Sequence, residues 1–308
     1  MTSIRLGLIG LGKIARDSHL PAIAKTPAFK LAAIATPSGS GDSVADVASY
    51  TDYKEMLAAN VVDAVAVCTP TQFHYAITRD CLRAGVDVLL EKPPTPSLTA
   101  FEELIVQAAA MRRVLFASWH SRFAAGVETA RAALAGKTVT ALDITWHEDV
   151  RHWHPGQDWI WTAGGFGVLD PGINALSIAT RILPMPLILD HAELDIPAGF
   201  QSPITAWLRW SELGGGADFD WRGLTPQSWT IGVTCSDAPP LVLTDGGATL
   251  SVDGANVPVA PQVEYEGAYA HFASLLASRT SDADAAPLRL AADAFLIGSR
   301  QTVDAFTG

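Results

Sequence analysis

A lysine between a glutamate and a proline, Glu91-Lys92-Pro93, closes the apolar run Val86-Asp87-Val88-Leu89-Leu90. Ligands of open α/β sheets gather outside the carboxyl ends of the strands, so a cation there can serve a bound molecule as acid, base or hydrogen-bond donor. Pro93-Pro94 then prevents further sheet pairing. A second pair lies far downstream. Asp170 and Asn174 are four residues apart and would lie on one face of a helix, one turn from each other, within reach of a single small polar molecule. Asp170 directly before Pro171 fits a helix cap equally well. Between these pairs, Trp146-His147-Glu148-Asp149-Val150-Arg151-His152-Trp153-His154 collects histidines and carboxylates. Their spacing matches no zinc pattern, and a strand continuing through them would put Trp146 and Glu148 on one face and His147 on the other, so no metal is expected.

The elements that must position these residues fall into two textures. Ile4–Ile9, Leu31–Ala35, Ala64–Cys68, Val86–Leu90 and Val114–Ser118 are continuous apolar runs, the pattern of parallel strands covered on both faces. Helical patterns alternate with them at Ile14–Lys25, broken at Pro21, and at Tyr53–Ala59, His74–Ala84 and Leu98–Ala110. This predicts a doubly wound, Rossmann-type parallel sheet over residues 1–120. Beyond it, strand patterns at Thr138–Glu148, Leu187–Ile196, Ile204–Trp210, Trp229–Cys235, Leu241–Leu243 and Ala248–Val252 alternate with glycine turns at Gly214-Gly215-Gly216 and Gly246-Gly247. Helices are expected at Arg122–Leu134, Pro171–Leu183, Tyr265–Ser278 and Leu288–Ala305. Residues 121–308 are therefore expected to form an α+β domain with a large, mainly antiparallel open sheet that binds substrate and, through an uncovered face, a second copy.

Gly10-x-Gly12-x-x-Ala15 follows the first strand at once and opens the first helix. Glycines there permit a tight turn and close backbone approach to a pyrophosphate, which the helix amino terminus stabilises. Gly10, Gly12, Lys13, Ile14 and Ala15 are the expected cofactor contacts. The second strand runs into Thr36-Pro37-Ser38-Gly39-Ser40 with no acid before Asp42. Without a carboxylate to repel a 2′-phosphate, and with Thr36, Ser38 and Ser40 as donors, NADP is expected ahead of NAD.

Composition narrows the remaining possibilities. The 308 residues carry a net charge of −11, which argues against nucleic acid as a partner. Three widely spaced cysteines form neither a disulfide framework nor a thiolate zinc site, and no stretch approaches roughly 18 uninterrupted apolar residues. A cytoplasmic protein with no membrane association is expected. Trp119, Trp153, Trp159 and Trp161 sit near the candidate residues, and flat ring faces suit the C–H face of a sugar.

Read in order, the glycine turn, Cys68-Thr69-Pro70-Thr71 with His74, Ala84-Gly85 and Glu91-Lys92-Pro93 resemble the glucose-fructose oxidoreductase / inositol dehydrogenase family over nearly the whole chain. Gly164-Gly165-Phe166-Gly167-Val168-Leu169-Asp170 resembles the family's glycine-rich stretch leading into Asp-x-x-x-His, with Asn174 in place of the histidine. That departure resembles a subgroup of aldose 1-dehydrogenases acting on L-arabinose, D-galactose or D-fucose. The resemblance implies cofactor contacts from Cys68, Thr69, Pro70, His74, Glu91 and Lys92, and catalytic roles for Lys92 and Asp170, either of which would serve as base. It also implies sugar contacts from Glu148, His154 and Asn174; Trp153 and His120 are expected beside them as further sugar contacts. An NAD-dependent glycoside hydrolase, an inositol or polyol dehydrogenase and a nicotinamide-binding sensor without turnover are the competing readings.

Overall fold

The computed structural model describes residues 3–39, 41, 44, 46–261 and 263–307. Six parallel strands, β1 (Ile4–Ile9), β2 (Phe29–Ala35), β3 (Ala48–Tyr50), β4 (Ala64–Val67), β5 (Asp87–Glu91) and β6 (Leu115–Ser118), pair in the order β3-β2-β1-β4-β5-β6. Every residue of β4, β5 and β6 is buried, as continuous apolar runs between two helical layers require. Strand β3 has no apolar signature: its Ala48-Ser49-Tyr50 is exposed or half-buried, and its place is set by pairing with β2.

Helix α1 (Leu20–Lys25) is preceded by a π-helical turn over Ala15–His19, so the change of helical register comes before Pro21 and not at it. Pro21 lies in the first turn of α1, where its missing N–H costs nothing. Helices α2 (Tyr53–Ala58), α3 (His74–Arg83) and α4 (Leu98–Ala110) complete the crossovers, with Asp52 and Ser97 accepting from backbone N–H groups as amino-terminal caps.

By internal contacts the chain forms two compact units, Met1–Trp119 with Tyr265–Ala285, and His120–Glu264 with Ala286–Gly308. The first unit thus takes in Tyr265–Ala285, a segment far from its other residues in sequence. Within the first unit, α8 (Glu264–Ser278) brings Tyr269 and Phe272 against Phe29 at ring distances of 5.7 Å, and Phe272 against Phe116. These are buried aromatic contacts that sequence separation conceals.

The second unit holds nine strands: β7 (Val139–His147), β8 (Leu189–Pro197), β9 (Thr205–Trp210), β10 (Gly214–Asp220), β11 (Ser228–Cys235), β12 (Leu241–Thr244), β13 (Thr249–Val252), β14 (Ala255–Asn256) and β15 (Ser299–Val303). Their order is β14-β13-β12-β11-β7-β10-β9-β8-β15, antiparallel except for β7 with β10 and β8 with β15. Gly214–Gly216 is not a turn but the opening of β10, whose Gly216 sits so close to Leu208 that a Cβ would lie 2.4 Å from its carbonyl oxygen. The expected carboxy-terminal helix also ends early. α9 (Ala286–Ile297) stops before Gly298, and the polar edge strand β15 follows.

Helices α5 (Val127–Leu134), α6 (Val150–Trp153) and α7 (Leu169–Ile182) belong to this unit. A 3₁₀ turn over His120–Phe123 replaces the expected first turns of α5. Helix α7 is almost wholly buried and lies against the sheet, with Gly172 so near Phe219 that an added Cβ would be 3.1 Å from the ring. Among the described residues no helix is long and apolar enough to cross a membrane.

Candidate active site

In the first unit, the carboxyl ends of the strands assemble the cofactor turn. Gly10 donates to the Ala35 carbonyl at the end of β2, and Cys68 donates to Ile9 at the end of β1. Gly10 adopts φ +92°, and a Cβ there would lie 2.9 Å from the Thr69 nitrogen, so this approach of two loops requires glycine. A Cβ on Gly12 would meet nothing within 4 Å, which leaves open space above the turn. Ile14 is exposed there, Lys13 pairs with Asp17, and Ala15 is fully buried as the small residue on which the helix rests. The Thr69 hydroxyl is buried without a hydrogen-bond partner, as is that of Ser118 at the end of β6. Buried hydroxyls of this kind are costly unless a bound molecule completes them, so the turn fits a dinucleotide. After β2, Thr36 and Ser38 bring their hydroxyls within 3.3 Å of each other, and Ser38 is exposed. Ser40 and Asp42 lie outside the described residues.

His74 does not reach this open space. It is buried between the carbonyls of Thr69 and Pro93, 2.6 and 3.0 Å from its ring nitrogens, and ties the loop after β4 to the loop after β5. Burial pushes its imidazole below the ordinary value, against the opposing pull of those carbonyls and the Glu91 charge. Cys68 and Pro70 belong to the same loop, and burial followed by the Glu91 charge raises the Cys68 thiol far above its usual range. The Lys92–Pro93 peptide is cis, and Lys92 itself is half-buried. Glu91 is buried and accepts the Lys92 backbone N–H at 2.9 Å.

In the second unit, α7 begins at Leu169 with Val168 as its amino-terminal cap, so Asp170 stands inside the first turn and is not the cap. Asp170 is 3% exposed. Asn174, one turn on, is half-buried where its helical neighbours are buried. The His154 Nε2 lies 3.7 Å from Asp170 Oδ2, an ion-pair distance rather than a hydrogen bond. His154 reaches that position from the carboxyl end of α6, and meets the Trp221 ring edge-on at 5.0 Å.

Glu148 follows β7 and is held from two sides. The indole N–H of Trp221 donates to Oε1 at 2.8 Å and that of Trp229 to Oε2 at 3.0 Å. Trp229 stacks on Trp146 and touches Trp153, whose indole N–H is bound by Gln227. Asp170, His154, Trp221, Glu148, Trp229 and Trp153 thus form one connected group of side chains. His147 turns to the opposite side, to Asp218 and Thr225, as strand alternation requires. Among the described residues no three histidine, cysteine, aspartate or glutamate side chains are placed to hold a metal ion. His120 is separate from the connected group and binds Glu264 at 2.7 Å. Trp221 and Trp229 escaped sequence reasoning, although alternation along β11 with Ile231 and Val233 assigns Trp229 to the buried face. Trp221 carries no such signal.

A glycine turn between a buried strand and a helix, on a parallel sheet with strand order reversing beside it, defines a dinucleotide-binding oxidoreductase. Residues 4–118 match the family model described as an oxidoreductase family with an NAD-binding Rossmann fold. Galactose 1-dehydrogenase of Pseudomonas fluorescens is 44% identical over 312 residues, 99% of each chain. The chain belongs to that family, the glucose-fructose oxidoreductase / inositol dehydrogenase family, and uses a nicotinamide cofactor. A crystal structure of D-galactose-1-dehydrogenase from Rhizobium etli superposes with a TM-score of 0.93 at 47% identity, covering 100% of this chain and 99% of that one. A 3-ketoreductase from Actinomadura kijaniata in complex with NADP shares the fold at 18% identity, with a TM-score of 0.85 over 98% and 100% of the two chains.

Proposed function

We propose that the protein oxidises the anomeric C1 hydroxyl of an unphosphorylated, galactose-type aldose to the lactone, with NADP preferred and NAD accepted. The observation that supports this most is the connected group around Glu148. A carboxylate acceptor fixed by two indoles, a histidine and a second buried carboxylate beside aromatic walls is what hydroxyl recognition on a pyranose needs. The relatives named for galactose oxidation add to it. Nearby arginines are committed to their own carboxylates, Arg151 to Asp149 and Arg222 to Asp220, which favours a neutral substrate.

Gly10, Gly12, Lys13, Ile14, Thr36, Ser38 and Thr69 are the residues we assign to holding the cofactor, which when bound supplies the acceptor for the C1 hydride. Asp170 accepts the proton of the C1 hydroxyl as that hydride leaves. Lys92 donates to the sugar oxygen and opposes the negative charge that develops there; a placed base and such a donor together contribute about 10²–10⁴ in rate or more. Glu148, His154, Asn174 and Trp153 orient the remaining hydroxyls and the ring.

The test is a panel of unphosphorylated aldoses and inositols, each with NADP and NAD, following reduced nicotinamide and identifying the product. Lactone formation from galactose-type sugars is expected; reduction of neither cofactor with any aldose would sink the proposal. The unpaired, buried thiols of Cys68, Cys81 and Cys235 support a reducing compartment. Pairing of two copies through the nine-stranded sheet is supported by Trp207, which stands 39% exposed on β9. Light scattering of the parent and of Trp207→Asp tests it, with a change in mass expected.

A further inference from the structure

The π-helical turn that follows the glycine turn ends at His19, which is fully buried. Its Nδ1 lies 2.8 Å from the Tyr269 hydroxyl on α8, and its Nε2 lies 3.1 Å from Glu91 Oε1 at the end of β5. Tyr269 is also fully buried, and the other carboxylate oxygen, Oε2, accepts the Lys92 N–H. One assignment of protons satisfies all three contacts. The Tyr269 hydroxyl donates to Nδ1, Nε2–H donates to Oε1, and the Glu91 carboxylate accepts from His19 on one oxygen and from Lys92 on the other. Burial first, and then the nearby Glu91 carboxylate, drives the Tyr269 phenol far above its ordinary range, so it remains a donor.

We propose that Tyr269, His19 and Glu91 form a positioning relay that fixes the main chain of Lys92, and through it the ammonium group assigned above to the sugar oxygen. None of the three is a catalytic residue; they act through Lys92. The relay rests on the proposed oxidation only for its consequence in turnover, since its geometry stands within the first unit alone. A π turn places one extra residue in a helix and commonly marks a functional constraint. Here it carries His19 to the fixed end of β5, and the segment Tyr265–Ala285 returns to the same unit to supply the hydroxyl.

Three variants and two readouts test this. His19→Leu removes both contacts at similar volume, His19→Gln keeps an amide N–H near the place of Nε2, and Tyr269→Phe removes one hydroxyl. With galactose and NADP, His19→Leu is expected to lower kcat by about 10- to 100-fold with a sugar KM changed by less than about twofold, because loss of placement and not of binding is the defect. Tyr269→Phe is expected to cost about threefold, the worth of one neutral hydrogen bond, and serves where His19→Leu does not fold. His19→Gln is expected to recover most of the rate lost in His19→Leu. The second readout needs no turnover: in protein labelled with ¹⁵N-lysine, the Lys92 backbone amide, assigned by its loss in Lys92→Arg, should shift upfield in proton frequency in His19→Leu. An unshifted Lys92 amide, or His19→Gln no better than His19→Leu, overturns the relay. A parent protein that oxidises no aldose overturns the proposed activity instead, and leaves the amide measurement to decide the relay.

Discussion

Trp221 donates its indole N–H to Glu148 at 2.8 Å while its ring edge meets His154, so one tryptophan joins the two polar ends of the candidate sugar site. A carboxylate held in this way keeps its remaining lone pairs in fixed directions. Trp221→Phe and Trp229→Phe each remove one donor and retain a ring. Each should raise the sugar KM by about 5- to 150-fold, the worth of about one to three kcal/mol for a hydrogen bond to a buried carboxylate. Glu148→Gln should be worse than either, because its amide N–H₂ would face an indole N–H. Steady-state kinetics with galactose checks all three.

Asp170→Ala and Lys92→Ala should each lower kcat by about 10²-fold or more with little change in sugar KM, because each is proposed to serve the proton transfer and not sugar binding. If they work on one proton transfer, the double variant will be far less damaged than the product of the two single effects. Fully multiplicative effects would show that the two act independently.

The proposed preference for NADP is tested at one exposed residue. Ser38→Asp places a carboxylate where a 2′-phosphate is proposed to lie and should reduce kcat/KM with NADP by at least about 10-fold, while NAD is affected less, since a carboxylate can accept from the ribose diol. Matched titrations with the two cofactors decide it.

His74 is expected to make stability depend on pH. Its buried imidazole protonates below the unfolded value of about 6.5, so the unfolded chain binds the extra proton first. Its contribution is whole above that value and is lost as pH falls toward the folded one. Thermal melts of the parent between pH 7.5 and 4.5 should therefore decline more steeply than those of His74→Gln, even if the variant is less stable at pH 7.5. Parallel declines would show that His74 is not held neutral.

The Rossmann sheet was legible because each of its buried strands is a short apolar run and each turn has its own chemistry: Gly10 needs a positive φ, and Gly85, also at positive φ, ends α3. The placement of Lys92 just after a buried strand, of Asp170 near the start of a helix and of Glu148 at the end of a long strand was legible from apolar runs and helix spacing. What failed was long-range. Asp170 reads as a cap only if α7 starts at Pro171, and burial against the sheet extends that helix by two residues. Trp221 follows the end of β10 in a polar stretch, and its contact with Glu148 spans 73 residues. Tyr269 and His19 are 250 residues apart, each an unremarked polar residue on a helix. No local pattern encodes such contacts; only the packed chain brings them together.

The return of α8 to the first unit limits how the two parts can be exchanged. A gene fragment ending at Trp119 would encode the parallel sheet and the nucleotide turn, yet leave Phe29 and Phe116 without Tyr269 and Phe272 and strip His19 of its hydroxyl partner. Recombination that grafts the first unit onto a different second unit must therefore cut the chain in three places, at about residues 119, 265 and 285, and carry the distant helix with it.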